Sequence, residues 1–410
     1  MKRLRVASRR LLLACISASL ASIIVSAYLH SDSSPNKIYS DLWTFWTRDW
    51  VAAGQVPYSP GAFLEYPPVS GLVLYSARTL GGTLAGVAGG IYAGYYDSFS
   101  ALSLLAAVGL AWSTWRLAGD MNIRVNPLYF LLPSMLIYGV YNFDLFNALF
   151  IVLSLQFFVE KRRGWSAVFM GVAIATKFVA AALIPVFLFE LTRWRERGRY
   201  LAISGVVAGA FFVPIAIFNF AYFSQFLSFY SSWGLEDAWY IWIFGDPFSH
   251  PAKLFGAALL VALLLRVYTL KMPLVQKSFL ALTAYLISTT VYAPQFNLML
   301  IPFVAVLALN SPWLYSMEVF NALIILTWFS VPVGPNVGPT YPWTVPQAVA
   351  LVRTASLALL GLSVASASGY SLMGWLKATL GRQKTLDVFT RGPPAQVGGR
   401  AASEPTGRKE

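Results

Sequence analysis

The sequence predicts an all-α, polytopic membrane protein with about twelve membrane-embedded helices, and three observations carry that expectation. Hydrophobic residues make up 57% of the 410-residue chain and charged residues 11%, where a soluble domain carries about 25% charged. Mean hydropathy is +0.62, and apolar runs near the ~20 residues that cross a bilayer recur along the chain. The net charge of +13 is gathered in short segments between those runs, as the positive-inside rule requires of cytoplasmic connections. That distribution points to a membrane and away from nucleic acid.

The basic clusters are the N-terminus; Arg116 with Arg124; Lys161, Arg162 and Arg163; Arg193, Arg195, Arg197 and Arg199; Arg266, Lys271 and Lys277; and the C-terminal tail. With cytoplasmic N- and C-termini in a cell membrane, all of them fall inside, and the acidic or neutral connections holding Asp41, Glu236, Asp237 and Asp246 fall outside. Leu11 to Leu29 follows five cationic residues but is long and has no small-residue cleavage site, so it reads as a retained first helix rather than a signal peptide. The single cysteine, Cys15, lies within it, which excludes a disulfide inside the chain.

Pro67 to Gly82 is apolar, short and interrupted by Arg78, and is expected to lie in the interface. Asp97 to Leu117 returns inward, Pro127 to Val140 runs outward, and the chain crosses inward again from Leu145 to the Lys161 cluster. Between Arg163 and Arg193 there is less chain than the ~40 residues that two crossings and a turn need. Trp165 to Leu191 is therefore expected to be a hairpin of two short helices turning within the membrane, with Lys177 near its tip. Non-helical backbone at that depth survives only where protein buries it or a cavity is lined by it. Further crossings follow from Tyr200, Ala252, Ser278, Asn297, Trp313 and Val345. Residues 1–380 read as a single membrane domain, and 381–410, rich in Pro, Gly, Arg and Glu, as a disordered cytoplasmic tail.

The stretch from Ser40 to Pro68 is where function is expected to lie. It sets Asp41, Asp49 and Glu65 among Trp43, Phe45, Trp46, Trp50, Tyr58, Phe63 and Tyr66. Aromatic rings suit headgroup depth, and carboxylates there need a partner or a task. Ionisable residues inside membrane helices are costly and mark function or pairing. Asp144, Lys177, Glu318 and Arg353 are of this kind. Glu318, near the cytoplasmic end of its helix, is expected to be structural. Asp144, Lys177 and Arg353 share a depth with the Asp41 loop. Outer carboxylates can take a proton from an acceptor hydroxyl while intramembrane cations neutralise a lipid-linked phosphate leaving group. Asp144, at a similar depth one helix earlier, is one candidate to pair with Lys177, the alternative being the donor phosphate. No phosphate-cradling glycine loop and no histidine pair with metal spacing is present. A divalent metal would rest on Asp41, Asp49, Glu65 or a histidine.

Four motifs in order carry a resemblance. They are Asp41-Leu42 with Gly54-Gln55-Val56-Pro57-Tyr58 and Tyr66-Pro67-Pro68; Asn142-Phe143-Asp144; Thr176-Lys177 running to Pro185; and Ala293-Pro294-Gln295-Phe296. Together they resemble the GT-C superfamily of integral-membrane glycosyltransferases, especially prokaryotic mannosyltransferases that use polyprenyl-phosphate mannose. The resemblance implies Asp41 as catalytic base and Lys177 as a donor-phosphate contact; the residues themselves leave Asp49 and Glu65 as alternative bases and Arg353 as a further phosphate contact. Tyr58, Tyr66, Asn142, Asp144, Glu236 and Gln295 would line the substrate pocket. The donor would be a polyprenyl-phosphate sugar, the acceptor a lipid- or protein-linked glycan, and the site would face outside. The chain departs from the family where Trp233-Gly234 precedes Glu236 in place of Arg-Gly. Two rival expectations are a transporter or flippase for a polyprenyl-linked or polar substrate, and a non-catalytic subunit of a two-chain mannosyltransferase.

Overall fold

In the computed structural model, which describes residues 2–334 and 337–367, the chain is helical, and no strand occurs among the described residues. Met1–Val364 forms one compact unit and a second begins at Ala365. The tail expected from residue 381 lies outside the described residues.

The helices in order are α1 (Lys2–His30), α2 (Asp41–Trp46), α3 (Asp49–Ala52), α4 (Pro68–Ala88), α5 (Ile91–Asp120), α6 (Pro133–Tyr138), α7 (Asp144–Val159), α8 (Arg163–Thr176) and α9 (Ile184–Glu190). They continue as α10 (Trp194–Phe218), α11 (Phe220–Ser232), α12 (Ile241–Phe244), α13 (His250–Thr269), α14 (Leu274–Ser288), α15 (Ile301–Val306), α16 (Pro312–Trp328) and α17 (Val345–Ala367). Short 3-10 turns at Pro127–Leu131, Phe178–Leu183 and Pro294–Leu300 lead into α6, α9 and α15.

Among the described residues five helices are long and apolar enough to cross a membrane: Arg9–His30 of α1, α5, α10, α13 and α17. Shorter apolar helices occupy Asp144–Val159, Phe178–Glu190, Leu274–Ser288 and Pro294–Val306. The expected dozen embedded segments are therefore not a dozen helices of spanning length. Proline divides several of them. Pro127 to Val140, expected as one helix, is a 3-10 turn and the six-residue α6, because Pro133 forces Leu132 into extended backbone (ψ 150°). Arg78, which interrupts the apolar run, lies within a continuous α4 that extends past Gly82 to Ala88, and its guanidinium donates twice to the Ala52 carbonyl at the end of α3 (3.0 and 2.8 Å).

Basic clusters between the described helices sit where helices end or begin. Arg116 pairs with Glu160 (2.5 Å) where α5 and α7 finish, and Lys277 pairs with Glu190 (3.7 Å) where α14 starts and α9 ends. At the opposite end the Ser40–Pro68 loop rests on α5, α6 and α7. Trp46 stacks on Tyr95, and the Ser40 hydroxyl donates to the Tyr141 carbonyl (3.1 Å). α10 exposes Val206, Val213, Ile217 and Phe218, and α13 exposes Leu254, Val261 and Leu265. Apolar faces of that extent are what lipid covers and water does not.

α4 and α5 pack backbone to backbone at two glycines. A Cβ on Gly81 would lie 2.3 Å from the Tyr95 nitrogen, and one on Gly94 2.3 Å from the Gly81 carbonyl oxygen. Gly94→Ala should force the two helices apart and cost about 1–3 kcal/mol, seen as a lower thermal midpoint in detergent. Gly86→Ala, in the same helix as Gly81 but facing open space, should leave the midpoint unchanged or raise it, since alanine is the better helix former. Equal midpoints for the two variants would contradict the close crossing.

Candidate functional site

α8 stops at Lys177, whose backbone is extended (φ −160°, ψ 132°), and the chain resumes as a 3-10 turn and α9. The returning arm comes back beside the start of α8. Phe187 of α9 packs on Phe158 (centroids 4.7 Å) and on Tyr200, whose hydroxyl meets Ser166 near the start of α8 (3.2 Å). The break is held by the Thr176 carbonyl accepting from Ser70 of α4 (2.9 Å), so an orphan helix-end acceptor is satisfied.

Lys177 reaches Asp144 at the start of α7 with both oxygens bonded (2.6 and 2.9 Å), and its ammonium sits 3.4 Å from the centre of the Phe296 ring. Asp144 is fully buried. Its backbone N–H donates to Asn142 Oδ1 (3.1 Å), and Asn142 Nδ2 donates to Asp41 Oδ2 (3.0 Å). One buried amide thus joins the ion pair to Asp41. The loop bearing Asp41 is fixed by Ser40, which caps α2 by accepting from Leu42 N–H (3.2 Å). Further back, His30 turns both ring nitrogens to carbonyls, Ile38 at 3.0 Å and Ile137 at 2.6 Å.

Asp41 and Lys177 open into a cavity of about 530 Å³, within the usual range for a small-molecule site. Its polar wall adds Arg48, Glu65, Glu236 and Gln295, and its aromatic wall includes Tyr39, Tyr66, Phe178, Phe229, Tyr230, Trp328 and Phe329. Arg48 and Glu65 form a two-pronged ion pair (2.5 and 2.6 Å), with the guanidinium over the Phe45 ring. Burial pushes the Asp41 carboxyl up to about 7, and the facing Glu236 charge adds to the rise against the opposing amide of Asn142. Glu236 is likewise pushed up to about 7, by burial first and then by the charge of Asp237, against Trp233, Arg353 and Lys177.

The Glu236–Asp237 step divides two adjacent acids. Glu236 is pinned by its N–H to Thr290 O and by Tyr292 N–H to its own carbonyl (both 2.9 Å), and it faces the cavity. Asp237 takes a positive φ of 55°, unusual outside glycine. It turns inward to Gln347 (3.2 Å) and Arg353 (4.0 Å).

Of the residues singled out by sequence, Asp41, Glu65, Tyr66, Lys177, Glu236 and Gln295 share the cavity, while Asn142 and Asp144 stand directly behind its wall. Three lie elsewhere. Arg353 is completely buried, donates to the carbonyl of Tyr292 (2.8 Å) and to Asn321 Oδ1 (3.2 Å), and does not reach the cavity. The expected phosphate contact is instead a structural cation, because the rotation of α17 turns it into the protein. Tyr58 spends its hydroxyl on the Tyr66 carbonyl (2.7 Å) and its ring on Gly71, outside the cavity. Asp49 is exposed at the start of α3 and is not part of the wall. Glu318 accepts from the Ser134 N–H (2.8 Å) and so caps α6 from across the bundle, as a structural acid does. Sequence reasoning missed Arg48, Tyr39, Tyr141 and Asp237. Arg48 lay inside the selected stretch, but its partner is 17 positions away. No group of three His, Cys, Asp or Glu side chains placed to hold a metal occurs among the described residues.

Compared with protein-family models and with curated proteins, the chain matches none.

With Asp144 as its partner, the Lys177 charge is balanced by the protein itself. Removing the cation alone strands a buried carboxylate, which costs about 3–5 kcal/mol. Lys177→Met should therefore lower yield and melting temperature in detergent, and adding Asp144→Asn should recover most of both. A stable single variant would mean that the pair is not what holds the helix break.

Proposed function

We propose that the chain is a membrane glycosyltransferase that moves a hexose, most plausibly mannose, from a polyprenyl-phosphate donor to a lipid- or protein-linked acceptor. The observation that carries this reading is the placement of Asp41 at the cavity wall. It has one amide hydrogen bond, no cation of its own, and a carboxyl raised to about 7. A general base works best with its pKa near the working pH. Asp41 would remove the proton of the acceptor hydroxyl as the oxygen attacks C1 of the sugar from the face opposite the phosphate, inverting that centre. Lys177 remains the cation nearest to a phosphate contact, acting while it stays paired with Asp144. The aromatic wall supplies flat apolar surfaces against which sugar rings and an isoprenoid chain pack. The GT-C resemblance of the motifs supports the same assignment, since residues of all four lie at this cavity or directly behind it, among them Asp41, Tyr66, Asn142, Asp144, Lys177 and Gln295.

In this reading the arginine-rich end is cytoplasmic and the cavity end faces outside, with the α8–α9 hairpin turning inside the bilayer. The positive-inside rule supports that orientation. In a Cys15→Ala background, Gln55→Cys should label with a membrane-impermeant maleimide on intact cells, and Gly198→Cys only after permeabilisation. The reverse pattern would overturn the outward site.

Asp41→Asn keeps the shape of the side chain and removes the proton acceptor. Transfer by purified protein from polyprenyl-phosphate mannose, with a native lipid extract as acceptor, should fall about 10²–10⁴-fold. In the unaltered protein the base must be ionised, so kcat/KM for the donor should drop about tenfold for each pH unit below about 7. Near-normal turnover of Asp41→Asn would remove the base role.

A further inference from the structure

The cavity presents an anion with an electrostatic problem. It has two cations, and each already has a carboxylate of its own: Arg48 holds Glu65 through two bonds and Lys177 holds Asp144 through two bonds. Asp41 and Glu236 then stand opposite without cationic hydrogen-bond partners. Asp41 has the Asn142 amide, and Glu236 has the Trp233 Nε1–H at 3.3 Å. If all four carboxylates are ionised, two positive charges face four negative ones, and the cavity repels a phosphodiester. Arg353 does not relieve this, because it is turned to Asp237 and the Tyr292 carbonyl. Gln295 adds a buried amide to the same wall.

Resting on the reading of the site as one for a lipid-linked phosphate, we propose that Glu236 is a further catalytic residue that enters the reaction protonated. Its O–H donates a hydrogen bond to the donor's phosphate, so that the phosphodiester binds with net uptake of one proton. Asp41 is held by Asn142 at the head of α2, whereas the Glu236 carboxylate, which lines the cavity, meets only the Trp233 indole besides its backbone bonds. The charged groups acting on Glu236 are Asp237 on its own segment, Lys177 from the α8 break and Arg353 from α17, with Asp41 of α2 opposite. The tyrosines Tyr39 and Tyr141 face it as well. Burial and these like charges raise both carboxyls to about 7, which lets Glu236 take up a proton near neutrality as the phosphodiester binds.

In the chemical step the acceptor O–H bond breaks and its proton goes to Asp41. The new C1–O bond forms, and the C1–O bond to phosphate breaks with its electron pair passing to the phosphate. The negative charge that appears there is stabilised by the Glu236 O–H, which remains on Glu236. When the products leave, the proton on Asp41 is lost to solvent and Glu236 gives back the proton it took up with the donor.

The test is binding, with no turnover required. The probe is methyl farnesyl phosphodiester, which carries one fixed negative charge from pH 6 to 8. Its Kd for the detergent-purified protein should weaken about tenfold from pH 6 to pH 8. Calorimetry at pH 7.5 in two buffers of different ionisation enthalpy should report proton uptake approaching one. Glu236→Gln, permanently neutral, should bind with a Kd that is flat across this range and with no proton uptake. Asp41→Asn removes one opposing charge and should bind more tightly than the unaltered protein at pH 8, although it cannot turn over. A Kd for the unaltered protein that is equal at pH 6 and 8 would refute the protonated Glu236 and leave the lipid-phosphate reading intact. Absence of binding at every pH would instead refute the lipid-phosphate reading on which this rests.

Discussion

Asn142 is the side chain on which the site depends. Its amide nitrogen holds Asp41 and its amide oxygen takes the backbone N–H of Asp144, so a neutral group separates two carboxylates that would otherwise repel across a short gap. On one side of it lies an acid with no cation, and on the other an acid fully committed to Lys177. Exchanging the order would leave a buried lysine facing a cavity unpaired, which is the costlier arrangement. The amide also fixes geometry. It ties the loop ahead of α2 to the start of α7, two elements that meet only because α1, α5 and α6 bring them to the same end of the bundle.

The breaks in the helices serve the same end. A continuous helix through Lys177, Pro133 or Pro294 would carry regular backbone past the cavity and leave no carbonyls or N–H groups to redirect. At Lys177 the interruption is stabilised by Ser70 and by the ion pair. At Pro294 the carbonyl accepts from Asn321 (2.8 Å), and the 3-10 turn that follows delivers Gln295 and Phe296 to the cavity wall. The aromatic ring of Phe296 under the Lys177 ammonium then supplies part of what water would have given. At each of these three breaks a side chain from another helix meets a freed group, Ser70 at Thr176, Glu318 at Ser134 and Asn321 at Pro294, as a low-dielectric interior demands.

The helical class of the fold was legible because composition and the spacing of charge clusters are direct consequences of a lipid environment. The number of full-length helices was not, since hydropathy registers an apolar run whether or not proline divides it. In the site, Asp41 and Lys177 could be picked out as ionisable groups in apolar surroundings, and Asp144 as the acid able to meet Lys177. Arg353 was legible as a buried cation but was assigned to the wrong surroundings. Depth along a helix follows from counting residues, whereas the direction a side chain faces depends on packing around the axis, and α17 faces Arg353 to Asp237 and Tyr292. The Arg48–Glu65 pair was hidden for a related reason. It closes a loop through α3 and the Pro57–Tyr58 turn, and local periodicity carries no trace of that closure.

A single backbone conformation at Asp237 has a wider consequence. Because its φ is positive, two successive acids point in opposite directions, one to the open space and one to an arginine on the final helix. The same arginine also grips the carbonyl of Tyr292, whose N–H bonds the Glu236 carbonyl. None of the α17 side chains lines the cavity, yet any rotation or slip of that helix is transmitted to Glu236 through both grips at once. The outermost span in chain order thereby acts as a tuning rod for a site it never touches. Sequence change accumulated along α17 can retune the cavity while every residue in contact with the guest stays the same.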